Sequence, residues 1–359
     1  MYDVILSFIT AFTLTYFAIP SIIHVAKIKN LCDEPGERRS HKESTPSLGG
    51  IGIFAGVIFS IILWTPFGYF SDLQYILCAF IIIFLIGAKD DILPMSPNKK
   101  LVGEVLAAAI LVFKSNVKLT SLYGILGIYE LPEIVSILLS IFTILVIINA
   151  FNLIDGINGL SGSIGILIAA TLGSWFFLAK QPELAIVAFS LTGALVAFLK
   201  YNFTPAKIFM GDTGALLIGL VCSILAIKFI ELQHELRGIA ASEQLAEGLF
   251  FEAVPAVAIG IMILPLFDTL RVFTMRLLNG KSPFYPDRTH IHHLLIDYGF
   301  SHMQATGILV LVNIFFIILA IGLQHIGSMS LLLVILALAT SMTATLYRSV
   351  AKKKPLQSE

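Results

Sequence analysis

Apolar runs long enough to cross a bilayer recur along this chain, separated by short polar connections. Inside hydrocarbon no water satisfies the backbone, so a spanning segment must be an α-helix or part of a closed barrel. Roughly 20 apolar residues cover a ~30 Å hydrocarbon core as a helix. Eleven segments fit that unit, near 2–26, 49–65, 73–89, 101–113, 133–150, 163–179, 183–199, 213–230, 250–270, 303–323 and 329–347, the fourth being short. With 57% hydrophobic residues, 13% charged residues and a mean hydropathy of +0.92, a water-soluble globular chain is excluded. The expectation is an all-α polytopic membrane protein. Residues 1–350 form one transmembrane domain, with polar loops near 27–48, 90–100, 150–162, 200–213 and 271–302, and a basic tail covers 351–359.

Charge distribution gives an orientation, because Lys and Arg accumulate in cytoplasmic loops. With the N-terminus outside, eighteen of the 23 basic residues fall on the inner side, which also receives the C-terminus. Only Lys114, Lys118, Lys180, Lys228 and Arg237 remain outside. The first segment carries Asp3 rather than basic residues before a long apolar run, unlike a cleaved signal peptide. Cys32, Cys78 and Cys222 suggest no disulfide framework.

That topology brings five polar motifs to the inner side: DEPGERRSHKESTPSLGG from Asp33, AKDDILPMSPNKK from Ala88, NAFNLIDGINGL from Asn149, KYNFTPAKIFMGDTG from Lys200 and SPFYPDRTHIHHLL from Ser282. One composite site open to the cytosol is the natural reading, since an ionisable group is kept near hydrocarbon only where a function offsets its cost. Asp90 and Asp91 end the third segment. Acids there oppose the helix dipole, so capping gives no reason for two of them, whereas paired carboxylates can hold a divalent cation or divide into base and ligand. Asp155 sits among Asn149, Asn152, Asn158, Gly156 and Gly159; a helix C-cap accounts for one Gly and one Asn, not for an acid and three amides. Asp212 precedes the eighth segment, where a helix N-cap and a phosphate or metal site are both reasonable. The run His290, His292, His293 lacks the cysteine neighbours of a zinc site, and with Arg288 it reads better as an anion-binding loop. His41 shares the basic inner surface with Arg38, Arg39 and Lys42. The glycines of GGIGIFAG lie inside an apolar helix with no preceding strand, so they read as helix packing. Carboxylates, cations and histidines on the inner face of a membrane protein suit phosphoryl-type transfer, and the apolar setting suggests that one reactant is a lipid. A secondary transporter is the rival; it expects charges near the midplane and an internal repeat, whereas here the acids gather at helix ends.

These five ordered motifs, spanning residues 33 to 295, resemble the signatures of the polyprenyl-phosphate N-acetylhexosamine-1-phosphate transferases, glycosyltransferase family 4. The D-x-P-x-x-R-x-x-H pattern at Asp33, Pro35, Arg38 and His41, with PDRTHIHHLL, is more similar to bacterial undecaprenyl-phosphate α-N-acetylglucosaminyl 1-phosphate transferases. Ile291 interrupts the triple-histidine run usual in the phospho-MurNAc-pentapeptide translocase. The resemblance implies a bacterial inner-membrane enzyme that transfers GlcNAc-1-phosphate from UDP-GlcNAc to undecaprenyl phosphate, releasing UMP, with Mg²⁺ or Mn²⁺. Such enzymes start O-antigen or teichoic-acid synthesis; the alternatives are another UDP-HexNAc or UDP-MurNAc-pentapeptide as donor. No nucleic-acid partner is implied, and a homodimer is compatible with such a bundle.

The resemblance also assigns roles. Asp90 matches the acid that deprotonates or orients the lipid phosphate, with Asp91 as its essential neighbour. Asp212 matches the metal-binding acid and Asp155 a further acid of the nucleotide and metal region, making Asp212, Asp155 and Asp91 the expected metal set. His292 joins these acids as a catalytic candidate. Asn202 and Phe209 match nucleotide contacts, the latter stacking on uracil; Lys100, and less surely Lys99, lie near the phosphates; Arg288, His290 and His293 lie by the sugar and diphosphate. Asn152 and Asn158 supply amide contacts. Asn158 replaces the second acid of the usual DGIDGL loop, and an amide brings no charge to a metal. Pro255 and Pro265 predict a kink near Pro265 in the ninth segment, opening a lipid-facing groove.

Overall fold

The structure, a computed structural model, describes residues 2–32, 45–243, 249–282 and 289–353. Thirteen α-helices account for most of it: α1 (Tyr2–Ile28), α2 (Gly49–Trp64), α3 (Phe70–Ile92), α4 (Pro97–Lys114), α5 (Glu133–Ile154), α6 (Leu160–Leu178), α7 (Pro182–Asn202), α8 (Gly211–Glu243), α9 (Val254–Ile261), α10 (Ile263–Leu278), α11 (Ile291–Tyr298), α12 (His302–Gly322) and α13 (Ser328–Lys353). Among the described residues there is no β-strand; Ser121 and Glu130 form an isolated bridge. The expected all-α, multi-pass membrane architecture is therefore what the chain adopts.

Each of the eleven apolar segments is helical, α9 and α10 together forming the ninth, while α11 is a short helix inside the last polar loop. Among the described residues, seven helices (α1, α5, α6, α7, α8, α12 and α13) are long and apolar enough to cross a membrane, and the bent pair α9–α10 makes an eighth. That is fewer than the eleven spans expected. α2 is apolar but only 16 residues long. α3 and α4 instead carry Lys89, Asp90, Asp91, Lys99, Lys100 and Glu104 where the two helices adjoin.

The stretch 215–227 of α8 is apolar on nearly every side, and the helix lies at the centre, packed against α2, α3, α5, α6, α7 and α9. Large side chains such as Phe17, Ile134, Phe142, Leu311 and Ile318 are exposed on outer helices, as a lipid-facing surface requires. Within the bundle, polar side chains are satisfied helix to helix: Thr15 Oγ1 donates to the Gly52 carbonyl (3.1 Å), and Ser60 Oγ to the Ser7 carbonyl (2.6 Å). The glycines of α2 serve packing as expected, Gly50 lying against Thr213 and Gly214, and Gly56 against Ala11 and Thr15.

The expected kink is present, three residues before Pro265: α9 and α10 meet at Met262 and diverge by 85°. Pro265 has no N–H to return to the Ile261 carbonyl. Buried Asn313 of α12 repairs the break, its Nδ2 donating to Ile261 O (3.0 Å) and its Oδ1 accepting from Leu264 N (3.3 Å). Beside the bend lies an apolar cavity of about 190 Å³, walled by Leu264, Phe267, Leu295, Val312, Phe316 and Met342 among others.

Candidate active site

Six helix ends bring their polar residues to one place: the C-termini of α3, α5 and α7, and the N-termini of α4, α6 and α8. A cavity of about 420 Å³ is walled there by Asp90, Asp91, Asn152, Asp155, Asn158, Asn202, Phe209 and Asp212, all expected from the sequence, together with Ser47 and Pro94.

The N-terminus of α8 organises the acids. Asp91, reaching across from α3, accepts from Asp212 N (2.6 Å), Thr213 N (3.0 Å) and Thr213 Oγ1 (2.5 Å). It caps a helix other than its own, where a carboxylate is favoured by the free amides and the helix dipole. Gly211 permits this approach, with φ +70° and a position whose Cβ would lie 2.6 Å from Asp91 Oδ1. Because Asp91 performs the capping, the Asp212 side chain is left to face the cavity. There it is paired with Lys100 of α4, whose ammonium also lies 3.5 Å from Asp90 Oδ2. Asn152, oriented to satisfy both neighbours, donates to Asp212 Oδ1 (3.0 Å) and accepts from Lys100 Nζ (3.2 Å). Lys99, one residue earlier, is exposed and stands outside this network.

Asp155 follows the last residue of α5 and differs from the other acids. Among the described residues its carboxylate has no hydrogen-bond or ion-pair partner. Burial, then the charges of Asp212 and Asp91, push its pKa up to about 7. The amides beside it mostly hold backbone. Asn202 accepts from Gly159 N (2.7 Å) and donates to Ile208 O (2.9 Å), so both its polar ends are occupied. Asn158 Nδ2 donates to Thr204 Oγ1 (3.0 Å), while its backbone carbonyl accepts from Thr306 Oγ1 of α12 (2.9 Å). Phe209 is partly buried on the cavity wall, its N–H donating to the Pro46 carbonyl (2.8 Å).

The histidines form an adjacent group. His292 packs against Gly156, where a Cβ would lie 2.9 Å from the ring Cε1, and it is ring-stacked with His290 (5.7 Å between centroids). Its Nε2 is buried without a partner, and burial followed by the charge of His293 pulls its pKa down to about 3, so the ring is neutral. His290 Nδ1 lies 2.9 Å from Asp268 Oδ2. Asp268 Oδ1 accepts from Ile291 N (3.1 Å) and lies 2.9 Å from the Arg271 guanidinium, which also donates to the Thr289 carbonyl. His293 is partly buried with its ring 4.2 Å from that of His292. His41 and Arg288 lie outside the described residues.

Two acids missed in the sequence belong to this region. Glu104, 1% exposed, lies one turn from Lys100 and accepts from Asn149 Nδ2 (2.7 Å). Asp268, also 1% exposed, lies three residues before Arg271 in the ninth segment. Both are acids inside apolar runs, the signal that singled out the others. Asp91, Asp155 and Asp212, the expected metal set, all line this cavity, and among the described residues no three His, Cys, Asp or Glu side chains form a ready-made metal cage. Of these three, Asp91 is engaged by the α8 amides and Asp212 by Lys100.

The family model for glycosyl transferase family 4 matches residues 73–230 of this chain, from α3 through the apolar part of α8. A probable undecaprenyl-phosphate N-acetylglucosaminyl 1-phosphate transferase of Bacillus subtilis (strain 168) is 29% identical over 326 residues, covering 90% of this chain and 86% of the relative. The undecaprenyl-phosphate α-N-acetylglucosaminyl 1-phosphate transferase of Escherichia coli O157:H7 is 30% identical over 286 residues, 78% and 73% of the two chains. A decaprenyl-phosphate N-acetylglucosaminephosphotransferase of Mycobacterium tuberculosis (strain ATCC 25618 / H37Rv) is 29% identical over 323 residues, 84% and 78%. Similarity along most of both chains, and acids gathered at the helix ends of an apolar bundle, give one conclusion: this membrane protein belongs to glycosyl transferase family 4 and is a glycosyl-1-phosphate transferase.

Proposed function

We propose that the protein transfers GlcNAc-1-phosphate from UDP-GlcNAc to undecaprenyl phosphate, giving undecaprenyl-diphosphate-GlcNAc and UMP, at the cytoplasmic face of a bacterial inner membrane. The observation that carries this reading is the cavity lined by Asp90, Asp91, Asp155 and Asp212, in which Lys100 pairs with Asp90 and Asp212, within an apolar bundle that also holds an apolar cavity at the α9–α10 bend. The names of the relatives support the lipid and sugar. Eighteen basic residues on the loops of one side support the orientation.

The donor set suits Mg²⁺ or Mn²⁺. An unpartnered carboxylate, Asp155, stands beside Asp212 and is driven toward protonation by burial and then by the charges of Asp212 and Asp91. Mg²⁺ is ordinarily held by one or two carboxylates plus substrate phosphates rather than an all-protein cage. Asp155 and Asp212 would hold it, with Asp91 shaping the helix end. When bound it supplies charge neutralisation on the diphosphate.

The chain's own residues do the rest. The lipid enters along the groove opened at Met262. Its phosphate is already anionic near neutral pH, so Asp90, held by Lys100, orients the attacking oxygen more than it removes a proton. That oxygen attacks the β-phosphorus of the donor in line, and the bond to the UMP oxygen breaks. Lys100 and the histidine loop stabilise charge on the departing UMP. Phe209 stacks on uracil, and Asn202 and Asn158 fix the loops around the nucleotide. Radiolabelled UDP-GlcNAc, undecaprenyl phosphate and Mg²⁺ incubated with membranes containing the protein should yield labelled lipid. Label only from UDP-MurNAc-pentapeptide or another UDP-HexNAc would overturn the donor. Parallel double-reciprocal lines with both substrates varied would replace direct attack by an aspartyl-phosphate route.

A further inference from the structure

We propose that Asp268 is a positioning residue that fixes the tautomer of His290 and the start of α11, so that the histidine loop meets the donor in one orientation. This rests on the reading above, in which His290 contacts the donor. Asp268 is 1% exposed and has three partners: His290 Nδ1 at 2.9 Å, the Arg271 guanidinium at 2.9 Å and Ile291 N at 3.1 Å. A carboxylate facing a guanidinium and accepting from a backbone N–H is ionised, and an ionised carboxylate can only accept. The proton between Asp268 and His290 therefore resides on Nδ1, and Nε2 is the nitrogen left for a second partner. The same Asp268 oxygen that binds Arg271 also accepts the first free N–H of α11, placing negative charge at that helix N-terminus. Arg271 in turn donates to the Thr289 carbonyl, so Thr289, His290 and Ile291 are all tied to one side chain pair. α11 then delivers His292 against Gly156 of the cavity wall. A single buried acid on the bent helix thus sets the register of the histidine loop against the acidic cavity.

The test is a double-mutant cycle in the full-length protein. Asp268→Asn keeps the shape, but its amide can donate to Nδ1 and so impose the opposite tautomer. We expect kcat/KM for UDP-GlcNAc to fall on the order of 100-fold or more, as loss of an orienting carboxylate does in carboxylate–histidine pairs generally. In a His290→Ala background the same change should cost less than about 3-fold, because there is no imidazole left to orient. Losses that multiply in the double variant, or an Asp268→Asn protein within about 3-fold of wild type, overturn the proposal. If Asp268→Asn does not purify as a monodisperse protein, Asp268→Glu against Asp268→Gln repeats the charge contrast: Glu retaining activity and Gln losing it supports the proposal, and equal activities overturn it. A wild-type protein that turns over UDP-GlcNAc while Asp268 behaves additively leaves the proposed function standing and removes only this one. No turnover by wild type removes the function itself.

Discussion

Asp155 is the group whose replacement tests the electrostatics of the site most directly. Burial and two like charges raise its pKa to about 7, whereas in the unfolded chain a free Asp titrates near 3.9. The folded protein therefore binds a proton that the unfolded chain has released between about pH 4 and pH 7. Stability contributed by this group is full below pH 4, falls as pH rises to about 7, and is constant above. A shift of about three units corresponds to ~4 kcal/mol at its limit, and partial solvent access to the cavity reduces this to about 1–2 kcal/mol. Asp155→Asn removes the charge and keeps the shape. In detergent with a chelator, it should raise the unfolding temperature by a few degrees at pH 8 and leave it nearly unchanged at about pH 3.5. Millimolar Mg²⁺ should then stabilise wild type at pH 8 more than the variant, because only wild type offers the carboxylate. Activity should fall by orders of magnitude while stability rises, the exchange expected of a site that keeps charge in an unfavourable place. Equal unfolding temperatures of wild type and variant at pH 8 without metal would refute the reasoning.

Other residues give sharp outcomes too. Asp91→Ala should destabilise the protein by about 1–3 kcal/mol through loss of the α8 cap and reduce kcat further by releasing Asp212; thermal unfolding beside turnover separates the two effects. Asn313→Leu should lower the unfolding temperature by several degrees, because the Ile261 carbonyl and Leu264 N–H lose their partner at about 1–3 kcal/mol each; wild-type stability would show that the bend needs no repair. Gly156→Ala should raise the KM for UDP-GlcNAc by roughly 10-fold with little change in unfolding temperature, since its Cβ displaces the His292 ring; an unchanged KM would separate His292 from the donor.

Much of this molecule was legible from residue order because the membrane simplifies the problem. Hydrocarbon tolerates few backbone solutions, so every apolar run became a helix, and the acids Asp90, Asp91 and Asp155 stood out as costs without a sufficient local explanation, while Asp212 was open to both a cap and a ligand site. Pro265 announced a bend because it lacks the N–H that a helix needs. Length and composition alone mark seven helices and the bent pair α9–α10 as membrane-crossing among the described residues, while α2 is only 16 residues long and α4 carries Lys99, Lys100 and Glu104 in its first turns.

What residue order could not decide is which acid does what. Asp90 and Asp91 are adjacent in sequence, yet a helical turn of about 100° per residue sends them to different partners. Asp91 takes the amides of α8, and Asp90 lies by the ammonium of Lys100. Asn202, which the resemblance makes a nucleotide contact, lines the cavity and in the fold also clasps the loops around it. Asp268, inside an apolar segment more than twenty residues before His290, acquires its meaning only when the break at Met262 turns α10 by 85° and brings the two together. Periodicity and hydropathy depend on neighbours along the chain and determined the helices. Pairing of buried charge depends on distances across the bundle, and only the tertiary structure decided it.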